Sequence, residues 1–297
     1  MFSLHHLKGS TYYIDAPTNV GVYKLNRKDC ILIDTCYAGA MTEKLMSTLS
    51  NYDLNVKAIL HTHAHPDHYG SDSLIKTKYN CIIGAPSIEH VFLENSGFGN
   101  LLVFNAAPLS AIREHYPSGI KVDLIYDDDS CSVEEIPFSL MSLKGHSLNQ
   151  MGVATTDNII FIGDAFLDQE DLSQVKMLYN YDTAGAITSM KSLLDTSYSL
   201  YVPSHGKPSS KINDTIDYNL YCLERNSEML LRLLKNRPLS LDELMGILIS
   251  KHQVTEQAVQ YYIAQACAAS LLSYLENKGL VRIIFDNGIL KFLNGNE

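Results

Sequence analysis

The eight residues His61-Thr62-His63-Ala64-His65-Pro66-Asp67-His68 crowd imidazoles and a carboxylate onto one short stretch. Neutral imidazole and carboxylate both bind Zn²⁺ and similar divalent ions. A loop into which three imidazoles and a carboxylate converge has little structural use, so the spacing points to metal ligation and not to a solvated polar turn. The elements on either side suit that task. Val56-Lys57-Ala58-Ile59-Leu60 reads as a buried strand that delivers the loop, and Gly70-Ser71 reads as the start of a helix that closes it.

Further along, Asp34 closes the apolar run Cys30-Ile31-Leu32-Ile33. His146 stands in Gly145-His146-Ser147, Asp164 in Ile162-Gly163-Asp164-Ala165, and His205 in Ser204-His205-Gly206. Together with His63-x-His65-x-Asp67-His68, this ordered set resembles the signature of the metallo-β-lactamase superfamily. The resemblance implies an αββα sandwich, two mixed sheets flanked by helices. It places His63, His65 and His146 on one metal ion, and Asp67, His68 and His205 on another, with Asp164 bridging. Two ions so placed share a hydroxide and clamp a developing oxyanion, which suits hydrolysis of an ester, thioester, lactone or phosphodiester. Bound hydroxide is then the nucleophile, and either Asp67 or a metal-bound water protonates the leaving group. Asp34 is expected to orient the ligand loop, and Thr62 to hydrogen-bond around the ligand turn. His61 reads equally well as a support for the ligands or as a core histidine. Zn²⁺ suits the histidine-rich set, and Fe²⁺ or Mn²⁺ fits the same ligands. His5, His6, His90, His115 and His252 lack any such context and read as surface or packing residues.

The 297 residues suffice for one large domain and a small one, and 46% of them are apolar, so a sizeable core is expected. No uninterrupted apolar run is long enough for a membrane span. The start, Met1-Phe2-Ser3-Leu4-His5-His6, lacks the pattern of a signal peptide. Six cysteines are scattered with no C-x-x-C pair, which reads as reduced, mostly buried thiols in a cytoplasmic protein, with Cys36 and Cys222 as candidates for reactivity. A formal net charge of −10 disfavours unspecific binding to nucleic acid or anionic membrane.

Strand patterns cover Thr11 to Ile14, Val20 to Leu25, Cys30 to Asp34, Val56 to Leu60 and Tyr79 to Gly84, with a helix over Met41 to Leu49. Residues 87–119 break this rhythm with Phe92, Leu93, Phe98, Leu101, Leu102, Val103 and Phe104 among glycines and prolines. They read either as packed helices or as a lid that lends apolar walls to the site. Strands resume over Lys121 to Tyr126, Pro137 to Leu143, Gly152 to Thr156, Asn158 to Ile162 and Ser199 to Val202, and helices over Ala184 to Leu194 and Ile212 to Lys235. These elements define a catalytic domain over residues 1–235. From 236 to 297, a capping box at Ser240-Leu241-Asp242-Glu243, a helix over Gln257 to Gly279, and a hairpin around Asp286-Asn287-Gly288 look like a small winged-helix domain. This part carries five Lys/Arg against six Asp/Glu. Its presumed recognition helix, Ala266 to Leu275, is mainly Ala, Ser and Leu, without the cationic reach that DNA reading needs. A packing or dimerisation role is expected, a homodimer being the commonest symmetric solution, or a wall of the active site.

Among substrates, the acidic chain and the apolar 87–119 segment favour a small thioester or other activated acyl compound. An endoribonuclease or other phosphodiesterase needs a cationic track that no Lys/Arg cluster near the motifs supplies. A lactonase is the other alternative, although Leu167 stands where the quorum-quenching lactonases place a tyrosine. Lys207 is the nearest cation to the last ligand.

Overall fold

The computed structural model describes residues 1–95, 97–99, 104, 106–110, 117–174, 177–252 and 257–295. Seven strands follow one another across a first sheet: β1 (Ser3–Lys8), β2 (Thr11–Asp15), β3 (Val20–Lys24), β4 (Asp29–Ile33), β5 (Asn55–Leu60), β6 (Ile82–Pro86) and β7 (Leu124–Tyr126). Neighbours are antiparallel as far as β4 and parallel from there on. The parallel half needs crossovers, which α1 (Ala40–Asn51), the one-turn α2 (Pro66–Tyr69) with α3 (Asp72–Tyr79), and α4 (Glu89–Glu94) help to provide. A second sheet holds β8 (Ser130–Val133), β9 (Ile136–Ser142), β10 (Met151–Ala154), β11 (Ile159–Phe161) and β12 (Leu200–Val202). Its order is β12-β11-β10-β9-β8, antiparallel except for the parallel β11–β12 pair.

Side-chain alternation explains why the central strands are apolar at nearly every position. In β4, Ile31 and Ile33 meet Phe138, Val153 and Phe161 of the second sheet. Cys30 and Leu32 of the same strand face Leu45 and Leu49 of α1 and Ile75 of α3. β11 divides in the same way: Ile159 and Phe161 point between the sheets, and Ile160 points outward. The outer face of the second sheet is covered by α6 (Thr183–Leu194) and α7 (Asn213–Asn236), which follow the short α5 (Gln169–Gln174). Buried Ile216, Leu223, Leu230 and Leu234 recur at helical spacing along α7. The result is the expected four-layer sandwich of helices, two mixed sheets and helices.

The same outer core continues without a break into α8 (Leu241–His252) and α9 (Ala258–Asn277), through Leu244, Leu248, Ala268, Leu271 and Leu275. The capping box at the start of α8 is formed: Ser240 N donates to Glu243 Oε2 (2.8 Å) and Glu243 N to Ser240 Oγ (3.2 Å). β13 (Val281–Asp286) and β14 (Ile289–Asn294) pair around Asn287-Gly288, both at positive φ (50° and 79°), as a two-residue hairpin turn of this twist requires.

Several sequence expectations shift. Tyr79 ends α3 and does not open a strand; the left-handed Asn80 (φ 51°) caps that helix before β6 starts at Ile82. Strands β1 and β8 were not expected. Within 87–119, Leu93 is core and Phe92 packs against it, while Leu101, Leu102, Val103 and His115 lie outside the described residues. All six cysteines are free, and Cys36 is fully buried.

Candidate metal centre

The candidate ligands collect at one edge of the sandwich, beyond the carboxyl ends of the strands, where sites of parallel-sheet proteins tend to form. Asp34 and His61 follow the paired ends of β4 and β5, Ile33 and Leu60. Asp164 and His205 follow the paired ends of β11 and β12, Phe161 and Val202. His146 comes from the loop after β9. Local backbone geometry then aims them. Asp34 sits at φ 58°, a region that Asp and Asn enter more readily than most residues. Gly163 sits at φ 57°, and a Cβ there would lie 2.7 Å from Gln150 Oε1, the acceptor of the Asp164 N–H (2.9 Å).

Two clusters result: His63, His65 and His146 in one, and Asp67, His68, Asp164 and His205 in the other, each with ligand atoms within 4.8 Å of one another. In the first, His63 Nε2 and His146 Nε2 stand 3.0 and 2.9 Å from His65 Nδ1. Burial and like-charged neighbours hold the His65 ring down to about 3, and they lower His63 and His146 too. Neutral imidazoles whose ring nitrogens converge at this distance have the arrangement of ligands around one cation, where tetrahedral Zn²⁺ spaces nitrogens about 3.3 Å apart. In the second cluster, His68 Nε2 lies 3.4 Å from Asp164 Oδ1, and His205 Nε2 lies 3.3 Å from Asp67 Oδ2. Burial works against a charged His68 and His205, yet Asp67, Asp164 and, for His68, Asp34 raise both, His205 to about 9. The carboxyl groups respond in kind: Asp67 is held at about 2 and Asp164 well below the usual range. Asp164 reaches both clusters, because its Oδ2 lies 3.4 Å from His146 Nε2 and 3.6 Å from His205 Nε2.

Buried polar atoms are nearly always partnered. Here His68 Nε2 and Asp164 Oδ1, both buried and both aimed into the second cluster, make no hydrogen bond and meet only ion-pair contacts, 3.4 Å from each other. A divalent ion fits this donor set, since it would satisfy both.

Outer contacts fix the rings. His205 Nδ1 donates to the Pro17 carbonyl (2.8 Å) and His146 Nδ1 to that of Tyr179 (3.2 Å), which turns each Nε2 inward. Asp34 accepts from Thr62 N (2.9 Å), from Thr62 Oγ1 (2.8 Å) and from His68 Nδ1 (3.0 Å). His61 is fully buried between Asp34 (3.3 Å) and Asp72 (2.8 Å) and meets His68 through Asp34. The loop of His205 is fastened by Asn19, whose N donates to Ser204 O (2.7 Å) and whose Nδ2 donates to Pro203 O and Gly206 O (2.9 and 2.7 Å).

Sequence reasoning missed three contributors. Tyr37, partly exposed, stands beside Asp67 and Asp164; burial and these charges raise its phenol. Tyr179 packs edge-on to His65 and His146, with ring centroids 5.5 and 5.4 Å away. Glu89 is buried and bonded to two ligand loops. None of the three belongs to a motif, and their partners are remote in sequence. Lys207 is exposed. A hollow of about 500 Å³ within the 87–119 segment is lined by Glu94, Phe98, Pro108 and Gly119 among others, and by no residue of either cluster.

The chain is similar in sequence to a curated protein and in fold to solved structures. Hydroxyacylglutathione hydrolase GloC of Haemophilus influenzae is 25% identical over 152 residues, a match that spans 46% of this chain and 64% of that protein's length. A β-lactamase domain protein from Burkholderia ambifaria superposes with a TM-score of 0.73 at 15% identity, covering 98% of this chain and 93% of the other. A metallo-β-lactamase family protein from Thermus thermophilus gives 0.72 at 17% identity, covering 99% and 98%. The family model described as the metallo-beta-lactamase superfamily matches residues 13–205, a span that runs from β2 to His205 and takes in every candidate ligand. This chain therefore belongs to the metallo-β-lactamase superfamily.

Proposed function

We propose that the protein is a dinuclear metal-dependent hydrolase acting on a small thioester or other activated acyl substrate. The observation that carries the reading is the pair of adjoining clusters, with the orphaned His68 Nε2 and Asp164 Oδ1 turned toward the same space. His63, His65 and His146 would hold one ion, and Asp67, His68 and His205 the other, with Asp164 shared. Zn²⁺ fits the imidazole-rich set, and Fe²⁺ or Mn²⁺ is compatible with it. Such ions, when bound, acidify water and polarise a carbonyl. The chain's own residues do the rest. Asp67, ionised at rest, takes up the proton of the attacking water at a carboxylate oxygen and returns it to the leaving group. Asp34 and Thr62 keep the ligand loop in register. Tyr37 and Tyr179 flank the clusters as apolar walls.

The name of the Haemophilus protein supports the thioester reading, since an acylglutathione is a thioester. The net charge of −10 favours a small-molecule substrate over an RNA backbone. Among the described residues no helix is long and apolar enough to cross a membrane, and the cytoplasmic location proposed for this chain rests on its scattered free cysteines. Residues 236–297 are proposed to form a winged-helix-like unit that acts by packing and self-association as a homodimer, its helices sharing the outer core with residues 1–235. The deciding experiment combines elemental analysis of the purified protein with turnover of thioester, lactone, phosphodiester and RNA substrates. Two metals per chain and preferential thioester cleavage are expected. One metal or fewer after loading with excess Zn²⁺, Fe²⁺ or Mn²⁺, or cleavage of RNA or lactones alone, would overturn the proposal.

A further inference from the structure

Glu89 lies in the 87–119 segment and is a buried carboxylate among residues otherwise read as apolar walls. Its side chain is 3% exposed and forms no ion pair with Lys or Arg among the described residues. Oε2 accepts from Ala64 N at 3.0 Å, and Oε1 accepts from Ser147 Oγ and Asn149 N, both at 2.7 Å. Ala64 stands between His63 and His65, and Ser147 follows His146. One carboxylate thus straps together the two loops that supply all three imidazoles of the first cluster.

The backbone that delivers it is strained. Ile88 adopts φ 65° and ψ −55°, with Glu89 N bonded to Ser87 O at 2.6 Å, a three-residue turn of the rarer hand. A β-branched residue is an outlier there, and Ile88 is 46% exposed, so packing of its side chain is no reason for the conformation. The turn is held from both sides. Ser87 N donates to Tyr126 O (2.9 Å), and Asn149 Nδ2 donates to Ser87 O (3.1 Å) and Asp127 Oδ1 (2.8 Å). Strain that persists because its surroundings over-determine it marks a place where position matters. Charge adds a second reason. The second cluster has Asp67 and is backed by Asp34, whereas the first has only its share of Asp164. A buried carboxylate without a cationic partner is costly, and a dication on three neutral imidazoles is the charge that would offset it.

We propose that Glu89 is a positioning residue for the three-imidazole metal site, fixing the His63–His65 loop against the His146 loop and lending that site its missing negative charge. The inference rests on the metal reading above. Glu89→Gln tests it with little change in volume. An amide cannot accept at both ends, so an N–H would face either Ala64 N–H or Asn149 N–H, and the strap would open. The measurements are stepwise Zn²⁺ affinities by chelator competition, the Co²⁺ absorption spectrum, and thermal unfolding of the metal-free protein. Glu89→Gln is expected to weaken by roughly 10–100-fold the one binding step that His65→Ala abolishes, and to alter the Co²⁺ bands of that step while sparing the other. Ser147→Ala, a milder change, should weaken the same step less, and the double variant should be no worse than Glu89→Gln alone. If wild type binds two ions and both variants keep its constants and spectrum, or lose the two ions in proportion to a lowered unfolding midpoint, the positioning role falls and the metal reading stands. A wild type that binds no ion overturns both.

Discussion

The two clusters adjoin each other and are built on opposite electrostatic plans. His63, His65 and His146 are kept neutral by burial and by one another, so the first cluster is poised to accept a cation without first losing protons. His68 and His205 sit among Asp67, Asp164 and Asp34 and hold their protons. In a metal-free protein those protons would take the place of a cation between the carboxylates. Carboxylates, not imidazoles, therefore decide how each half of the site behaves when empty.

The shared carboxylate is where this contrast breaks most severely. Asp164→Ala is expected to cost both clusters their ions, with a fall in affinity beyond the roughly 10–100-fold typical of an outer-contact change; retention of two metals by elemental analysis would show that Asp164 is not the bridge. Asp34→Asn should bear mainly on the second cluster, through His68, and reach the first only through Thr62, 3.1 Å from His63 Nδ1. Asparagine tolerates the left-handed backbone but places an amide N–H against Thr62 or His68, so the second ion should bind roughly 10–100-fold more weakly. The metal-free fold should lose about 1–3 kcal/mol. Equal weakening of both steps would place Asp34 under the whole site. Titrating metal at pH 7 in buffers of different ionisation heat reads the contrast directly. The first cluster should release almost no protons and the second up to two, from His68 and His205; equal release from both steps would contradict the assigned charges. The same shifts fix the pH dependence of the metal-free fold. His205, raised to about 9, adds stability that is complete below about pH 6.5 and lost as pH rises through about 9. His65, depressed to about 3, adds stability that is present above about pH 6.5 and lost as pH falls toward 3. The chelated protein should thus unfold at its highest temperature near neutral pH, and a midpoint that climbs steadily to pH 9 would refute this. The smallest effect is expected from α9. Ser270 Oγ accepts from Thr183 N (3.1 Å) and bonds Thr183 Oγ1 (2.8 Å), next to the 179–182 stretch that lies on the His146 loop. Ser270→Ala should cost about 1 kcal/mol and shift only the first cluster's affinity, by a few-fold at most on the same free-energy scale; no change in either would detach α9 from the site.

The candidate ligands were legible because they stand in short words of titratable residues that follow apolar strands, and the sandwich was legible because Ile31, Leu32 and Ile33 cover two faces at once. What stayed hidden was whatever depends on a distant backbone. Glu89 bonds amides 25 and 60 residues away, and nothing in Ser87-Ile88-Glu89 announces a turn that glycine would normally make. Strand β1 escaped notice because it is an edge strand whose exposed His5 stacks on Tyr13 and whose exposed His6 leans on Tyr12, not in the core. Tyr79 was misplaced because an aromatic residue ahead of Cys81-Ile82-Ile83 extends a strand pattern, whereas Asn80 in the left-handed region marks the true boundary.

Asn19 carries a consequence for how the protein is made. It grips the loop of His205 across 184 residues of chain, and His205 itself leans on the carbonyl of Pro17. At ordinary rates of synthesis roughly 10–40 s separate the appearance of the two ends. During that interval the loop bearing His63 and His65 exists without its final partner, and the N-terminal sheet lacks the clasp that joins it to β12. Binding of an ion by the second cluster would thus wait for the last stage of elongation, and a chain terminated before His205 would carry the His63, His65 and His146 set with an incomplete second set.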